Sequence, residues 1–168
     1  MHVPSTHSRW AATVVERAQA HWTPERLSQL LGDKQPVILP TTGAVLLRAL
    51  GLMRDDGAIP PAQVRKYFQI NHMVAFLGPA LRALRARHAH VRLLDIGCGR
   101  SYLSLLIAWC AREVWRHPHT IVGVDRKASL VDESKRRAEA AGLADAMQFV
   151  VGDAAELAIP DVHGVVAL

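Results

Sequence analysis

Residues 91–108 read VRLLDIGCGRSYLSLLIA, and the order of side chains in that stretch decides the fold. Val91, Leu93, Leu94 and Ile96 form a short apolar run closed by Asp95 and by the glycine pair Gly97 and Gly99. From Ser101 the pattern becomes helical, so the reading is strand, tight turn, helix. Glycine has no Cβ, so this turn takes positive φ readily and lets another molecule lie against the backbone. In an open parallel α/β sheet, such a turn sits at the carboxyl end of a strand, under the unpaired N–H groups of the next helix. That is where a nucleoside binds.

The flanks of the glycine pair narrow the ligand. A dinucleotide fingerprint needs a small residue three positions after Gly99, where this chain has Tyr102, and the Gly-Lys-Ser/Thr of a P-loop is absent. Asp95, two positions before Gly97, would repel a pyrophosphate and suits a cationic guest. The pattern then repeats. Residues 120–125, TIVGVD, form a β-branched strand ending in Asp125, whose two oxygens can accept both hydroxyls of a ribose from the neighbouring strand. Residues 147–153, MQFVVGD, make a third strand that ends in Asp153, and residues 161–168, DVHGVVAL, begin a fourth.

The segment LLDIGCGRSYLS resembles motif I of the class I S-adenosylmethionine-dependent methyltransferases, usually Asp/Glu-x-Gly-x-Gly-x-Gly. It matches at Asp95, Gly97 and Gly99 and departs at Ser101, which stands where the last glycine is usual. The strand ending in Asp125 resembles the second element of the same family. The resemblance covers residues 91–168. It implies an α/β, Rossmann-like three-layer fold with parallel strands in the order 3-2-1-4, incomplete against the seven strands of the family and preceded by an α-helical N-terminal region.

The implied cofactor is S-adenosylmethionine, and the implied cofactor positions are Asp95, Gly97, Cys98, Gly99, Ser101, Tyr102, Asp125, Arg126, Asp153 and Ala154. Asp153 would accept from the adenine amino group and the Ala154 amide would donate to the ring. Catalytic residues stay unassigned, because in the family those facing the methyl acceptor lie beyond the fourth strand. A catalytically silent cofactor-binding protein stays open beside the enzyme. A nicotinamide-dependent oxidoreductase is opposed by Tyr102 and Asp95.

The 168 residues are half hydrophobic, enough for a real core. Residues 1–90 hold eleven Lys or Arg against five Asp or Glu, whereas residues 91–168 hold nine against ten. A basic front half suggests an anionic partner, RNA first, although a solvated helical surface explains the same charge. We divide the chain into a helical region (1–58), a connecting helix (59–90) and a cofactor-binding domain (91–168).

Residues 5–31 read as helix, with a second short one capped by Thr23-Pro24-Glu25 and stopped at Gly32-Asp33; Thr41 or Thr42 is placed to cap another. Further on, Tyr67, Ile70, Val74, Leu77, Leu81 and Leu84 draw one apolar stripe along a helix, with a kink or fresh start expected at Gly78-Pro79. Its polar side carries Arg65, Lys66, Gln69 and His72, with Asn71 nearby, and Lys66, Gln69, Asn71 and His72 are candidates for the substrate side of the site. A Lys/Arg-rich helix before motif I is similar to one in some RNA-modifying methyltransferases.

Cys98 and Cys110 lack metal or redox spacing, and the pairs His88/His90 and His117/His119 lack a partner pattern, so no metal is expected. The uncharged run 103–111 is shorter than a membrane span, which requires roughly 18 residues. We expect a cytoplasmic protein without membrane contact. The fourth strand would form an apolar edge carrying Val165 and Val166, open to self-association or to strands of a longer chain.

Overall fold

The computed structural model describes residues 6–156 and 161–167. The chain forms two compact units, Met1–His72 and Met73–Leu168. The first unit holds α1 (Thr6–His21), α2 (Pro24–Leu31), α3 (Ala44–Ala49) and the start of α4 (Pro61–Arg87). Ser5, proposed as the first helical residue, lies outside the described residues.

On α1 the spacing of apolar residues gives one buried face, with Val14 and Ala18 inside and Trp22 just past the helix end. The Trp22 Nε1–H donates to the Gly57 carbonyl at 2.8 Å, which brings the 55–57 turn against α1. Gly57 has φ +83°, and a Cβ there would stand 2.7 Å from the Ala18 backbone and from the Arg17 carbonyl oxygen. Backbone cannot swing aside as a side-chain tip can. Gly57→Ala is therefore expected to cost about 3 kcal/mol, combining left-handed strain with overpacking. Urea denaturation measures it, and a loss below about 1 kcal/mol would contradict the contact.

The Thr23 hydroxyl accepts from the Arg26 N–H at 3.4 Å, and α2 closes at Gly32 with φ +53°. The next cap differs from expectation. α3 starts after Gly43 with no side-chain cap, not at Thr41 or Thr42, because the chain doubles tightly over Ile38 there: a Cβ on Gly43 would lie 2.4 Å from Ile38 Cγ2. Ile38 is fully buried. The Asn71 Oδ1 accepts its N–H at 2.8 Å, and the Tyr67 hydroxyl donates to its carbonyl at 2.9 Å.

Along α4, Tyr67, Ile70, Val74 and Leu81 are buried as the stripe requires. The helix does not restart at Gly78-Pro79; it continues through Pro79 to Arg87. Packing of the stripe on both sides of the proline outweighs one missing backbone donor.

The second unit is a four-stranded parallel sheet in the order β3-β2-β1-β4, the order implied by the sequence resemblance. The strands are β1 (Val91–Ile96), β2 (His119–Asp125), β3 (Met147–Val151) and β4 (Gly164–Ala167). Parallel neighbours need crossover connections, supplied by α5 (Tyr102–Trp109) between β1 and β2 and α6 (Ala128–Ala140) between β2 and β3. α5 packs on β2, and α6 on β2 and β3. Every residue from Leu103 to Trp109 is buried, so α5 is enclosed on all sides, whereas α6 buries only Val131, Ser134 and Ala138.

The helical spacing of Leu103, Ile107, Cys110 and Val114 predicts one buried stripe after the glycine turn; Cys110 is buried but Val114 is exposed. Residues Cys110–Val114 widen into a π-turn, which inserts extra chain into the helical repeat and rotates Val114 outward. Among the described residues no helix is long and apolar enough to cross a membrane.

His88, His90, His117, His119 and His163 sit at the amino ends of β1, β2 and β4. The His163 N–H donates to the Arg92 carbonyl at 2.9 Å, and its Nδ1 accepts the Arg92 N–H at 3.0 Å. Its ring stacks on His88 with centroids 3.8 Å apart. Desolvation first, then His88 and Arg92, hold the His163 imidazole below its ordinary value; desolvation does the same to His119. The His163 Nδ1 accepts from Arg92 only while it carries no proton, and burial disfavours the charged form of His119.

Because the folded values lie below the unfolded value near 6.5, this stability is complete above about pH 6.5 and lost as pH falls through the folded values. The melting temperature should therefore drop as the pH falls below about 6.5. His163→Asn, which keeps an acceptor for the Arg92 N–H without titrating, should reduce the drop, and an unchanged drop would contradict this account.

Candidate nucleoside site

The carboxyl ends of β1, β2 and β3 enclose a crevice of about 350 Å³ lined by Ile96, Gly97, Val124, Asp125, Arg126, Lys127, Gly152, Asp153 and Ala154. Its floor is the turn after β1. Gly97 has φ +67°, Gly99 +54° and Ser101 +54°, three left-handed residues at alternate positions. Ser101 thus adopts the conformation for which the resembled motif uses glycine, at a non-glycine cost of roughly 1 kcal/mol. Nothing lies within 4 Å of where a Gly97 Cβ would stand, so its bare backbone faces open space.

The turn is tied to β2. The Gly99 N–H donates to Asp125 Oδ2 at 2.9 Å, and the Cys98 N–H to the Val124 carbonyl at 3.0 Å. The Lys127 N–H donates to Asp125 Oδ1 at 2.9 Å, an Asx turn that fixes the carboxylate at the strand end. Each Asp125 oxygen accepts one backbone N–H and keeps a second lone pair. A ribose diol needs two such acceptors side by side. The Gly152 N–H donates to the Asp125 carbonyl at 3.0 Å and brings the end of β3 alongside.

There Asp153 Oδ1 accepts the Ala155 N–H at 3.1 Å, and Oδ2 pairs with the Arg126 guanidinium. Those two donors, the Ala155 N–H first, hold the Asp153 carboxyl below the usual carboxylate range. An ionised acid beside the Ala154 amide offers an acceptor next to a donor, which matches the amino group and ring nitrogen of adenine.

The structure therefore brings Gly97, Asp125, Arg126, Asp153 and Ala154 to one crevice, with Gly99 joined to them through Asp125. Asp95, Cys98, Ser101 and Tyr102, from the same stretch, are not among the residues that line the crevice. Asp95 is 3% exposed, and its Oδ2 accepts the Ser104 hydroxyl at 2.5 Å, so the carboxyl faces α5 behind the turn. Burial raises its pKa, and the Asp125 charge adds to the effect. Cys98 and Ser101 are also buried beneath the turn, with burial pushing the Cys98 thiol up. Tyr102 is half-buried with the Arg137 guanidinium 4.7 Å over its ring.

Lys66, Gln69 and His72 are exposed on the part of α4 that belongs to the first unit. Asn71 is not on that polar face: it is 5% exposed, and its amide is committed to Ile38 and to the Tyr67 carbonyl. Sequence reasoning missed Lys127 and Gly152, whose backbones hold Asp125, and Ser134, whose hydroxyl donates to the Gly99 carbonyl at 3.0 Å. The Asp-x-Lys Asx turn was legible in principle; the Ser134 contact, 35 residues away, was not.

The donor set fits an adenosyl nucleoside: a bare backbone floor, paired acceptors for a diol, and an acid beside an amide. Among the described residues no group of three or more His, Cys, Asp or Glu side chains is placed to hold a metal.

Solved structures similar to this chain include an S-adenosylmethionine-dependent methyltransferase from Thiobacillus denitrificans in complex with S-adenosyl-L-homocysteine. It shows 33% identity over 56% of this chain and 35% of that one, with a TM-score of 0.43. A second, from Geobacter sulfurreducens and also in complex with S-adenosyl-L-homocysteine, shows 28% identity over 56% and 34%, with a TM-score of 0.43. An RNA methyltransferase from Salinibacter ruber shows 24% identity over 58% and 55%, with a TM-score of 0.43. The chain spans about a third of the length of the first two, 35% and 34%. No curated protein matches it. The family model described as a methyltransferase domain matches residues 65–168, more than half of the chain, which therefore belongs to that family.

Proposed function

We propose that residues 91–168 bind S-adenosylmethionine as the cofactor part of a methyltransferase. The observation that carries this reading is the left-handed, side-chain-free turn at Gly97 facing Asp125 and Asp153 across one crevice. When bound, the cofactor supplies an electrophilic methyl carbon on a sulfonium. Asp125 takes the ribose hydroxyls on its free lone pairs, Asp153 accepts from the adenine amino group, and the Ala154 amide donates to the ring. Asp95 acts from behind as a positioning residue, tying the turn to Ser104 of α5. Transfer of a methyl group to a good nucleophile needs alignment above all, so holding the nucleoside rigidly is the main task of these groups.

We take the methyl acceptor to be RNA, which the basic balance of residues 1–90 supports through phosphate attraction. Free, buried Cys98 and Cys110 suit a reducing cytoplasm. β4 pairs with β1 and carries Val165 58% exposed, so its outer side is where a further strand or a second copy of the chain would add.

Calorimetric titration with S-adenosylmethionine, S-adenosylhomocysteine and a nicotinamide dinucleotide tests the cofactor reading. The first two should bind and the third should not. Binding of the dinucleotide alone would overturn it.

A further inference from the structure

Of the two acids lining the crevice, Asp153 is the one whose charge is shared with an exposed side chain. Its Oδ2 pairs with the guanidinium of Arg126, the residue immediately after β2, across the mouth between β2 and β3. The Arg126 side chain is 78% exposed and that of Asp153 is 32% exposed. The remaining donors on the two crevice carboxylates are backbone N–H groups of Gly99, Lys127 and Ala155, fixed by the turns that carry them. Only the Arg126 contact can be released without moving the chain.

We propose that Arg126 is a specificity-determining gate: its ion pair competes with the base of the incoming nucleoside for the Asp153 carboxylate. This rests on the adenosyl reading of the crevice. While the pair is made, the guanidinium takes one lone pair of Oδ2 and screens its charge, so the base meets a weaker acceptor. An adenine amino group binds Asp153 at full strength once the guanidinium has turned away into solvent. The same guanidinium can donate to a base that carries a carbonyl in place of the amino group, which an unscreened Asp153 would repel. Arg126 thus lowers affinity for adenosine and narrows the discrimination between adenosine and inosine.

An exposed pair of this kind corresponds to roughly a two- to fivefold change in affinity. The experiment is calorimetric titration of the whole chain and its Arg126→Gln variant with adenosine and with inosine, at low and at high salt. Arg126→Gln should bind adenosine about two- to fivefold tighter at low salt, with a larger adenosine-to-inosine ratio. The gap between variant and parent should shrink at high salt, where the pair is screened. Weaker adenosine binding by the variant would mean that Arg126 holds the nucleoside, and equal binding would mean that the pair does not compete; either overturns the proposal. Binding of neither nucleoside to either protein would instead overturn the adenosyl reading, and the gate with it.

Discussion

Asp125→Ala should weaken binding of S-adenosylhomocysteine on the order of 100-fold. The carboxylate would accept two ribose hydroxyls, and each hydrogen bond to a charged group contributes about 1.5–3 kcal/mol. The substitution also frees the Gly99 and Lys127 N–H groups, which now donate to Asp125 at 2.9 Å, so the turn loses one of its ties to β2 and keeps that from Cys98 to Val124. Asp125→Asn separates the two effects. It keeps an acceptor for one backbone N–H while losing the charge, and should sit between parent and alanine variant in affinity with a melting temperature near the parent's. Calorimetry with a thermal melt of each variant measures both. An alanine variant that binds within threefold of the parent would remove Asp125 from the site.

The second large effect is expected at Gly97. A Cβ there meets no protein atom within 4 Å, so Gly97→Ala costs the fold only the left-handed strain of φ +67°, about 1–2 kcal/mol. The same methyl group would occupy space against which the nucleoside lies, and affinity should fall at least tenfold while the protein still melts cooperatively. Loss of folding without a binding-specific effect would show that Gly97 serves the turn alone. Comparison with Gly57→Ala is informative, since that substitution should destabilise strongly without touching the crevice.

Much of this was legible in the sequence because the signals are local. A β-branched run closed by an acid, repeated at Asp125 and again near Asp153, needs only neighbouring residues to be read, and the family resemblance these residues carry implied the observed strand order. The bend at Gly97 and Gly99 was readable for the same reason. Ser101 shows the limit of a residue pattern: the backbone keeps the left-handed conformation although the side chain departs from the motif.

What stayed hidden depends on contacts between distant residues. Asp95 ends a strand as Asp125 does, but Ser104 draws its carboxyl inward, and only packing reveals that. Asn71 lies among polar neighbours in sequence, yet the connector at Ile38 captures its amide. Pro79 suggested a kink or a fresh start, and the helix runs through it without restarting. Val114 fell out of the stripe because a π-turn changed the helical count, which no periodicity argument anticipates.

The account stands on a nucleoside lying across the ends of β1, β2 and β3. The most direct measurement is a backbone amide NMR titration of the labelled chain with S-adenosylhomocysteine. The account predicts saturable shifts centred on Gly97, Gly99, Lys127, Gly152 and Ala154, with the histidine end at His88, His117 and His163 unmoved. Saturable shifts centred elsewhere, or none in the glycine turn at millimolar ligand, would contradict it.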